Sequence, residues 1–378
     1  MAKKKLLFFS IFIIIILVFV LTIYNIIYKN NNIYLNNKDE APNFISIMLE
    51  ETASSGEYKV SKSNKWPSKG YVFNKEMSYC NNGSTLTWNE NDNSVSVNIN
   101  KTDKCYVYFD IYQLTLAEYI KSQYTGTQGE NSLYYHNSTL TNGAGDNSYR
   151  YAGASDSVNN YICLGSDATT CPDANLFRII GVFGNQTKVI RAKSVGYQQW
   201  HTSADNTWSS SSLNAYLNGT YLTSLGTIAE KIATTTWKVG GGSGSNISAS
   251  VPATAYKNEV GSSASTTIID KKIGLMYVSD YGFAASPSAW TKILGDYDGT
   301  DANGTSIKTI NWMYMGYNEW TISRHSDNTN SAFFVNSTGN VLGSNVRSDN
   351  GVRPSFNLES SVKYVSGSGS MSDPVRVN

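Results

Sequence analysis

Leu6 to Ile27 is an apolar run without a single charge, and Lys3, Lys4 and Lys5 stand directly before it. A helix rising about 1.5 Å per residue over that run is just long enough to cross a hydrocarbon core about 30 Å thick. Basic residues ahead of an apolar helix hold that end in the cytoplasm. The expectation is therefore a single pass through the cell membrane over 6–27, with everything after about Asn30 outside. A cleaved secretory signal is the competing reading, but its apolar core is shorter and ends in small residues. Here the run closes on Tyr24, Ile26, Ile27 and Tyr28 with no A-x-A site, which favours an uncleaved signal-anchor.

Charge narrows the function classes. The chain has 30 Lys+Arg and 29 Asp+Glu. Lys3, Lys4, Lys5 and Lys29 lie in or beside the apolar run, which leaves 26 basic residues against 29 acidic ones outside, a net of −3. No basic stripe remains, and phosphate binding needs clustered Lys and Arg, so nucleic acid is excluded as a partner. The roughly 350 outer residues suffice for one large or two medium domains. Their Tyr, Asn, Ser, Thr, Gly and Trp suit an extracellular β-rich protein with polar loops. The same mixture suits a recognition surface, where Tyr and Trp give rigid contact area and Asn and Ser give adaptable hydrogen bonds.

Cys80, Cys105, Cys163 and Cys171 form an even set in an oxidising compartment. Three pairings are open; the sequential one (80–105 and 163–171) is expected, because each pair then falls within one local segment. The closed loops would contribute roughly 3.5 and 2.6 kcal/mol on the chain-entropy model. A zinc site would need C-x-x-C pairs or nearby His, and neither is present.

Patterning divides the chain into an anchor (1–29, with its Lys cluster), a tether (30–44), a small β domain (45–112) and a larger domain (113–378). Phe44 to Thr52 reads as a brief helix. Val95, Val97 and Ile99 alternate with polar residues, as do Cys105, Val107 and Phe109, so both stretches read as half-buried strands. Tyr71–Phe73 and Leu86–Trp88 add two strands around the turn Asn81-Asn82-Gly83. In the larger domain, Leu114–Tyr124 has helical spacing, and Leu133–His136 and Tyr149–Tyr151 are short extended pieces. Phe177–Phe183 and Lys188–Ala192 form a hairpin about Gly184-Asn185-Gln186. Leu213–Leu225 reads as a helix and Ile228–Trp237 as a second one. Ile273–Val278, Trp320–Ser323, Ala332–Val335, Val341–Leu342 and Gly351–Leu358 read as strands.

Five blocks, in this order, resemble an uncharacterised domain family of surface proteins from low-GC Gram-positive bacteria. They are Tyr149-Arg-Tyr-Ala-Gly153, Asn175-Leu-Phe-Arg-Ile-Ile-Gly-Val-Phe183, Lys272-Ile-Gly-Leu-Met-Tyr-Val-Ser279, Trp320-Thr-Ile-Ser-Arg324 and Gly351-Val-Arg-Pro-Ser-Phe356. That family in turn looks like the C-type-lectin-like fold shared with formylglycine-generating enzymes. The resemblance covers roughly 130–378 and implies a lectin-like domain with two helices and a twisted antiparallel sheet; joined to the transmembrane helix and the small disulfide-stapled β domain read from the residues, it makes the expected fold class α+β. It brings no activity with it. The formylglycine-generating relatives need a reactive Cys pair in their catalytic half, and this chain has no Cys after Cys171.

Catalytic constellations are missing: there is no G-x-S-x-G, Walker loop, dinucleotide Gly motif or H-E-x-x-H. No catalytic residue is assigned and no enzyme is expected. Asp296, Asp298, Asp301 and Asn303 crowd one Gly-rich loop, where oxygen ligands could hold Ca²⁺. Asx-turn chemistry accounts for the same residues without a metal, and no cofactor is expected. Arg324 and Arg353 could bind a ligand or could be tied to carbonyls or to a carboxylate such as Asp280. Trp290, Trp312 and Trp320 could stack on sugars or fill the core. The best candidate surface is 325–330 with 345–350, carrying His325, Asp327, Asn328, Asn330, Asn345, Arg347 and Asp349, since recognition commonly sits on loops held by a rigid sheet. The expected role is a membrane-anchored surface protein whose lectin-like domain binds a glycan or protein ligand, in adhesion or recognition. The alternative is a structural or pilin-like component of the envelope.

Overall fold

The computed structural model describes residues 44–63, 66–67, 70–89, 94–98, 102–242, 247, 249–260 and 268–378. The anchor expected over 6–27, and the tether up to residue 43, lie outside the described residues. Among the described residues, no helix is long and apolar enough to cross a membrane. The chain divides into two units, Met1–Gln113 and Leu114–Asn378.

In the first unit the strands are β1 (Phe44–Glu50), β2 (Tyr58–Val60), β3 (Tyr71–Cys80), β4 (Thr85–Asn89), β5 (Ser94–Asn98) and β6 (Lys104–Ile111). One sheet runs β2-β1-β6-β3, and β4 and β5 form a separate hairpin. Period-two alternation in β6 does the sorting. Cys105, Val107 and Phe109 are buried, while Tyr106, Tyr108 and Asp110 sit half-buried on the other face. Ile47, Val95, Val107 and Phe109 make the core, with Phe73 stacked on Trp88 at 5.2 Å. The helix expected over 44–52 is a strand instead. Ile45, Ile47 and Leu49 alternate along it, and it pairs in parallel with β6 from Phe44↔Lys104 to Leu49↔Phe109. Cross-strand pairing outweighs local propensity here, as it commonly does for short β-branched segments.

The second unit contains the strands β7 (Leu133–His136), β8 (Ser148–Tyr151), β9 (Tyr161–Cys163), β10 (Leu176–Phe183), β11 (Gln186–Arg191), β12 (Tyr197–Gln199), β13 (Thr235–Lys238), β14 (Gly241–Gly242), β15 (Ile268–Lys271), β16 (Ile273–Gly274), β17 (Glu319–His325), β18 (Ser331–Val335), β19 (Val341–Asn345), β20 (Asp349–Gly351), β21 (Ser355–Asn357), β22 (Tyr364–Ser366) and β23 (Val375–Val377). Its helices are α1 (Leu116–Ser122), α2 (Ser212–Tyr216), α3 (Leu222–Ser224), α4 (Pro252–Glu259) and α5 (Val278–Ala284). The larger sheet follows β16-β21-β11-β10-β9-β23-β22, with β7 and β8 joined to it through β10. A second sheet follows β12-β20-β17-β18-β19, with β14 beside β17. The domain is mixed α+β, mostly sheet with short helices. Its sheets are mixed rather than antiparallel, because β9–β23, β14–β17 and β17–β20 pair in parallel.

The apolar hairpin read from the sequence forms β10 and β11 at the middle of the larger sheet. Seven of the eight residues in β10 are buried, as a strand covered on both faces requires. Its register slips between Ile179 and Gly181, where β8 approaches; a Cβ at Gly181 would lie 2.1 Å from the Tyr149 carbonyl oxygen. Both disulfides form in the sequential pattern, Cys80–Cys105 and Cys163–Cys171.

Three local expectations of the second unit fail. The strand expected over 351–358 is divided between β20, which ends at Gly351 in the second sheet, and β21 in the larger one, with Pro354, which cannot donate to a ladder, between them. The helix expected over 228–237 is a 3-10 turn over Gly226–Lys231 followed by β13, since the β-branched Thr234-Thr235-Thr236 run favours pairing with β15. The strand expected over 273–278 stops at Gly274 and gives way to α5, which Asp280 opens by accepting the Tyr277 amide at 2.9 Å.

Candidate functional site

The loop 325–330 is built from the end of β17 and the start of β18. Asn206 holds it: its side-chain amide donates to the carbonyls of His325 (2.8 Å), Asn328 (2.9 Å) and Ser331 (2.8 Å). Asn328 adds an Asx turn by accepting the Asn330 amide at 2.9 Å. The second loop is joined to the first by strand pairing, because Ser331 faces Asn345 and the Val346 amide donates to the Asn330 carbonyl at 2.9 Å. Asn345 accepts the Arg347 amide at 3.0 Å, and the His201 amide donates to the Val346 carbonyl at 3.0 Å.

Asp327, Asn328, Asn330, Asn345 and Arg347 are thus brought to one end of the β18–β19 pair, all exposed. His325 is not exposed. Its ring stacks on Phe333 at 4.1 Å between centroids and lies over Gly343, where an added Cβ would come 2.2 Å from Nε2. Burial holds its pKa below the usual imidazole value, against the opposing pull of Asp327, whose Oδ1 is 3.5 Å from Nδ1. His325 therefore supports the loop from beneath. Asp349 also stands apart: it lies in β20 opposite Gln199, and that strand's Gly351 pairs with Glu319 at the start of β17.

The Gly-rich loop 296–303 does not gather its carboxylates. Among the described residues, the group of acidic, Cys or His side chains close enough to share an ion is Cys80, Asp103 and Cys105, and there both sulfurs belong to the disulfide. Asp301 is buried and caps its own turn, accepting the amides of Asn303 (2.9 Å) and Thr305 (2.8 Å). A hydrogen bond with Ser288 leads in holding its carboxyl below the usual range. Asp296, Asp298 and Asn303 are exposed, and the Asp298 amide bonds the side chain of Asn340 at 2.7 Å. Asx-turn chemistry describes this loop.

Arg178, Arg353 and the three indoles are interior, and Arg324 is half-buried. Arg353 pairs with Glu319 (2.5 and 2.9 Å) and donates to the Met313 carbonyl, so its carboxylate is not Asp280. Arg178 is spread over Asn160, Ser155 and the carbonyls of Val158 and Trp312. Arg324 donates to the Val239 carbonyl at 3.1 Å. Trp290, Trp312 and Trp320 are at most 1% exposed, with their indole N–H groups on the carbonyls of Ala285, Tyr151 and Gln198. No sugar can stack on rings so enclosed.

One cluster escaped the sequence reading. Lys188 of β11, Arg150 of β8, Asp280 of α5 and Glu259 of α4 are all buried around one point. Lys188 Nζ lies 2.6 Å from Asp280 Oδ2, and Arg150 Nη1 lies 3.6 Å from Oδ1. Arg150 also pairs with Asp146 at 2.7 Å. Burial pushes the Lys188 ammonium down despite Asp280, and pushes the Glu259 carboxyl up despite hydrogen bonds from Ser323 and Ser279. Next to it His136 is fully buried; its Nδ1 accepts the Ala144 amide at 3.0 Å, which fixes a neutral ring with the proton on Nε2. Burial, then Arg150, hold its pKa well below the usual value. Nothing in β11, Gln-Thr-Lys-Val-Ile-Arg, marks Lys188 as buried before the fold is known.

Residues 184–360 match the model of a domain of unknown function, DUF6273. The match takes in Lys188, Glu259, Asp280 and both polar loops. Neither a curated protein nor a solved structure matches the chain.

Proposed function

We propose that the second unit is a non-catalytic recognition domain, lectin-like in arrangement and displayed outside the cell from a helix over 6–27. Its contact surface is the polar patch of Asp327, Asn328, Asn330, Asn345 and Arg347. The observation that carries this reading is the convergence of two loops, one on each side of the β18–β19 hairpin, on one exposed end of a rigid sheet. Charge, amide and carboxylate groups stand together there while the aromatic and cationic residues of the interior are occupied elsewhere. The ligand is a glycan or a protein with exposed polar groups, and adhesion is the natural use of such a surface on a cell. Two disulfides, with no free cysteine among the described residues, suit an oxidising outer compartment.

The full chain, purified in detergent, should bind a restricted set of sugars on a glycan array or capture a specific envelope protein. It should remain monomeric while doing so. Failure to bind at millimolar sugar, together with filaments or a large membrane assembly of the chain itself, would move the assignment to a structural, pilin-like envelope component.

A further inference from the structure

We propose that Lys188 and Asp280 condense into an intramolecular isopeptide bond, joining Nζ of β11 to Cγ at the start of α5. The two groups are 92 residues apart in sequence and 2.6 Å apart in space, each nearly sealed from solvent. Three aromatic rings surround the amine: Tyr277 at 4.5 Å, Trp237 at 5.4 Å and Phe183 at 5.7 Å from Nζ. Although ring faces attract a cation, this enclosure strips the ammonium of water, and that loss favours the free amine, the form that attacks a carbonyl. Burial drives the Lys188 pKa in the same direction.

The carboxyl group is set up to receive it. Oδ2 faces the amine and also accepts the Tyr277 amide at 2.9 Å, while Oδ1 faces Arg150 Nη1 at 3.6 Å. That Nη1 has no hydrogen-bond partner of its own. A guanidinium N–H held beside the oxygen that stays on carbon is positioned to stabilise the charge developing there during attack. One proton passes from Nζ to Oδ2, giving an amine and a carboxylic acid. The Nζ–Cγ bond forms, the Cγ–Oδ2 bond breaks, and Oδ2 takes a second Nζ proton and leaves as water. Ammonium and carboxylate thus become a neutral amide plus one water, with no oxidant, reductant or other reactant.

Two physical arguments favour the step over a permanent ion pair. Fixing amine and carboxyl in one enclosed place supplies an effective molarity on the order of 10⁵–10⁸ M, against which the usual preference of water for hydrolysis is weak. Condensation also removes two buried charges whose desolvation the ion pair must otherwise bear. Arg150 keeps Asp146 as its counter-ion, and Glu259 keeps the amides of Val278 and Ser279, so no new unpaired charge results.

Peptide mapping of the intact, natively folded full chain after reduction and alkylation is the test. Trypsin should release a branched peptide, 179–191 joined to 273–292 and lighter than their sum by one water, with cleavage after Lys188 blocked. The Lys188→Met variant should give peptide 273–292 only in its linear form. Linear peptides alone from wild-type protein whose two disulfides had formed would overturn the proposal. So would a water loss located at any other residue, or one that persists at 273–292 in the Lys188→Met variant.

Discussion

The two units solve the problem of holding a sheet together in different ways. The first has a core of four buried side chains with a ring of half-buried ones, and it ties β3 to β6 through directly opposed cysteines. Asp103 anchors the turn after β3: it accepts the amides of Asn82, Ser84 and Lys104, and against the cost of burial these bonds, with that of the Ser84 side chain, hold its carboxyl at about 2. The second unit has an extensive core and places a complete ion pair inside it, Arg353–Glu319. A small core needs a covalent staple, whereas a large one can carry buried charges provided each is matched. All three histidines, 136, 201 and 325, belong to the second unit.

The sharpest way to break this contrast is to unmatch a charge. Glu319→Ala leaves the Arg353 guanidinium buried with only the Met313 carbonyl, and should destabilise the second unit by about 3–5 kcal/mol. Hydrogen exchange read by mass spectrometry should show accelerated exchange across β10, β11, β17 and β21 and no change in β1–β6. Equal acceleration in both units would mean they do not unfold separately. Next in size is the staple. The Cys80→Ala/Cys105→Ala variant should lose roughly 3.5 kcal/mol from the first unit, and Cys163→Ala/Cys171→Ala roughly 2.6 kcal/mol from the second. The first loss should unfold its unit under conditions where the second loss leaves its unit folded.

Acid provides a third separation. His136 is neutral in the fold and its pKa is depressed, so its contribution is complete above the unfolded value of about 6.5 and is lost as pH falls from there towards the folded pKa. Urea midpoints of the second unit should therefore drop between about pH 7 and pH 5, while those of the His-free first unit stay level. His136→Gln should reduce that slope and leave the part due to His325, whose pKa burial also depresses; an unchanged slope would place the acid sensitivity elsewhere. The smallest expected effect is Gly343→Ala, whose methyl group meets His325 Nε2. It should displace the ring from Phe333 at a cost of about 1–3 kcal/mol and loosen exchange only in 325–331.

Much of the strand pattern was legible because half-buried strands advertise themselves by alternation: Cys105, Val107 and Phe109 in β6, or the apolar hairpin of β10 and β11. The cysteine pairs were legible because each lies within one segment. Helix α5 was not, since all seven of its residues are buried and it has no polar stripe to set a 3.6-residue period. Helix α4 likewise lacks a strong apolar face. The polar loops could be nominated from composition, but His325 could not be recognised as buried, because that depends on Gly343 and Phe333 across the hairpin. Nor could Asn206, whose three bonds reach 119 to 125 residues along the chain. The charged cluster was invisible for the same reason: Lys188 and Asp280 meet only through tertiary structure.

Recognition through the converged loops is tested most directly by comparing wild-type chain with the Asp327→Ala/Arg347→Ala variant in binding to the glycan or envelope protein selected by the wild-type protein. Both side chains are exposed, and the half-exposed contact of Asp327 with His325 at 3.5 Å is a weak one, so the thermal transition should barely move. The variant should bind at least tenfold more weakly, about 1.4 kcal/mol, at unchanged stability. Equal affinity in the two proteins would contradict it.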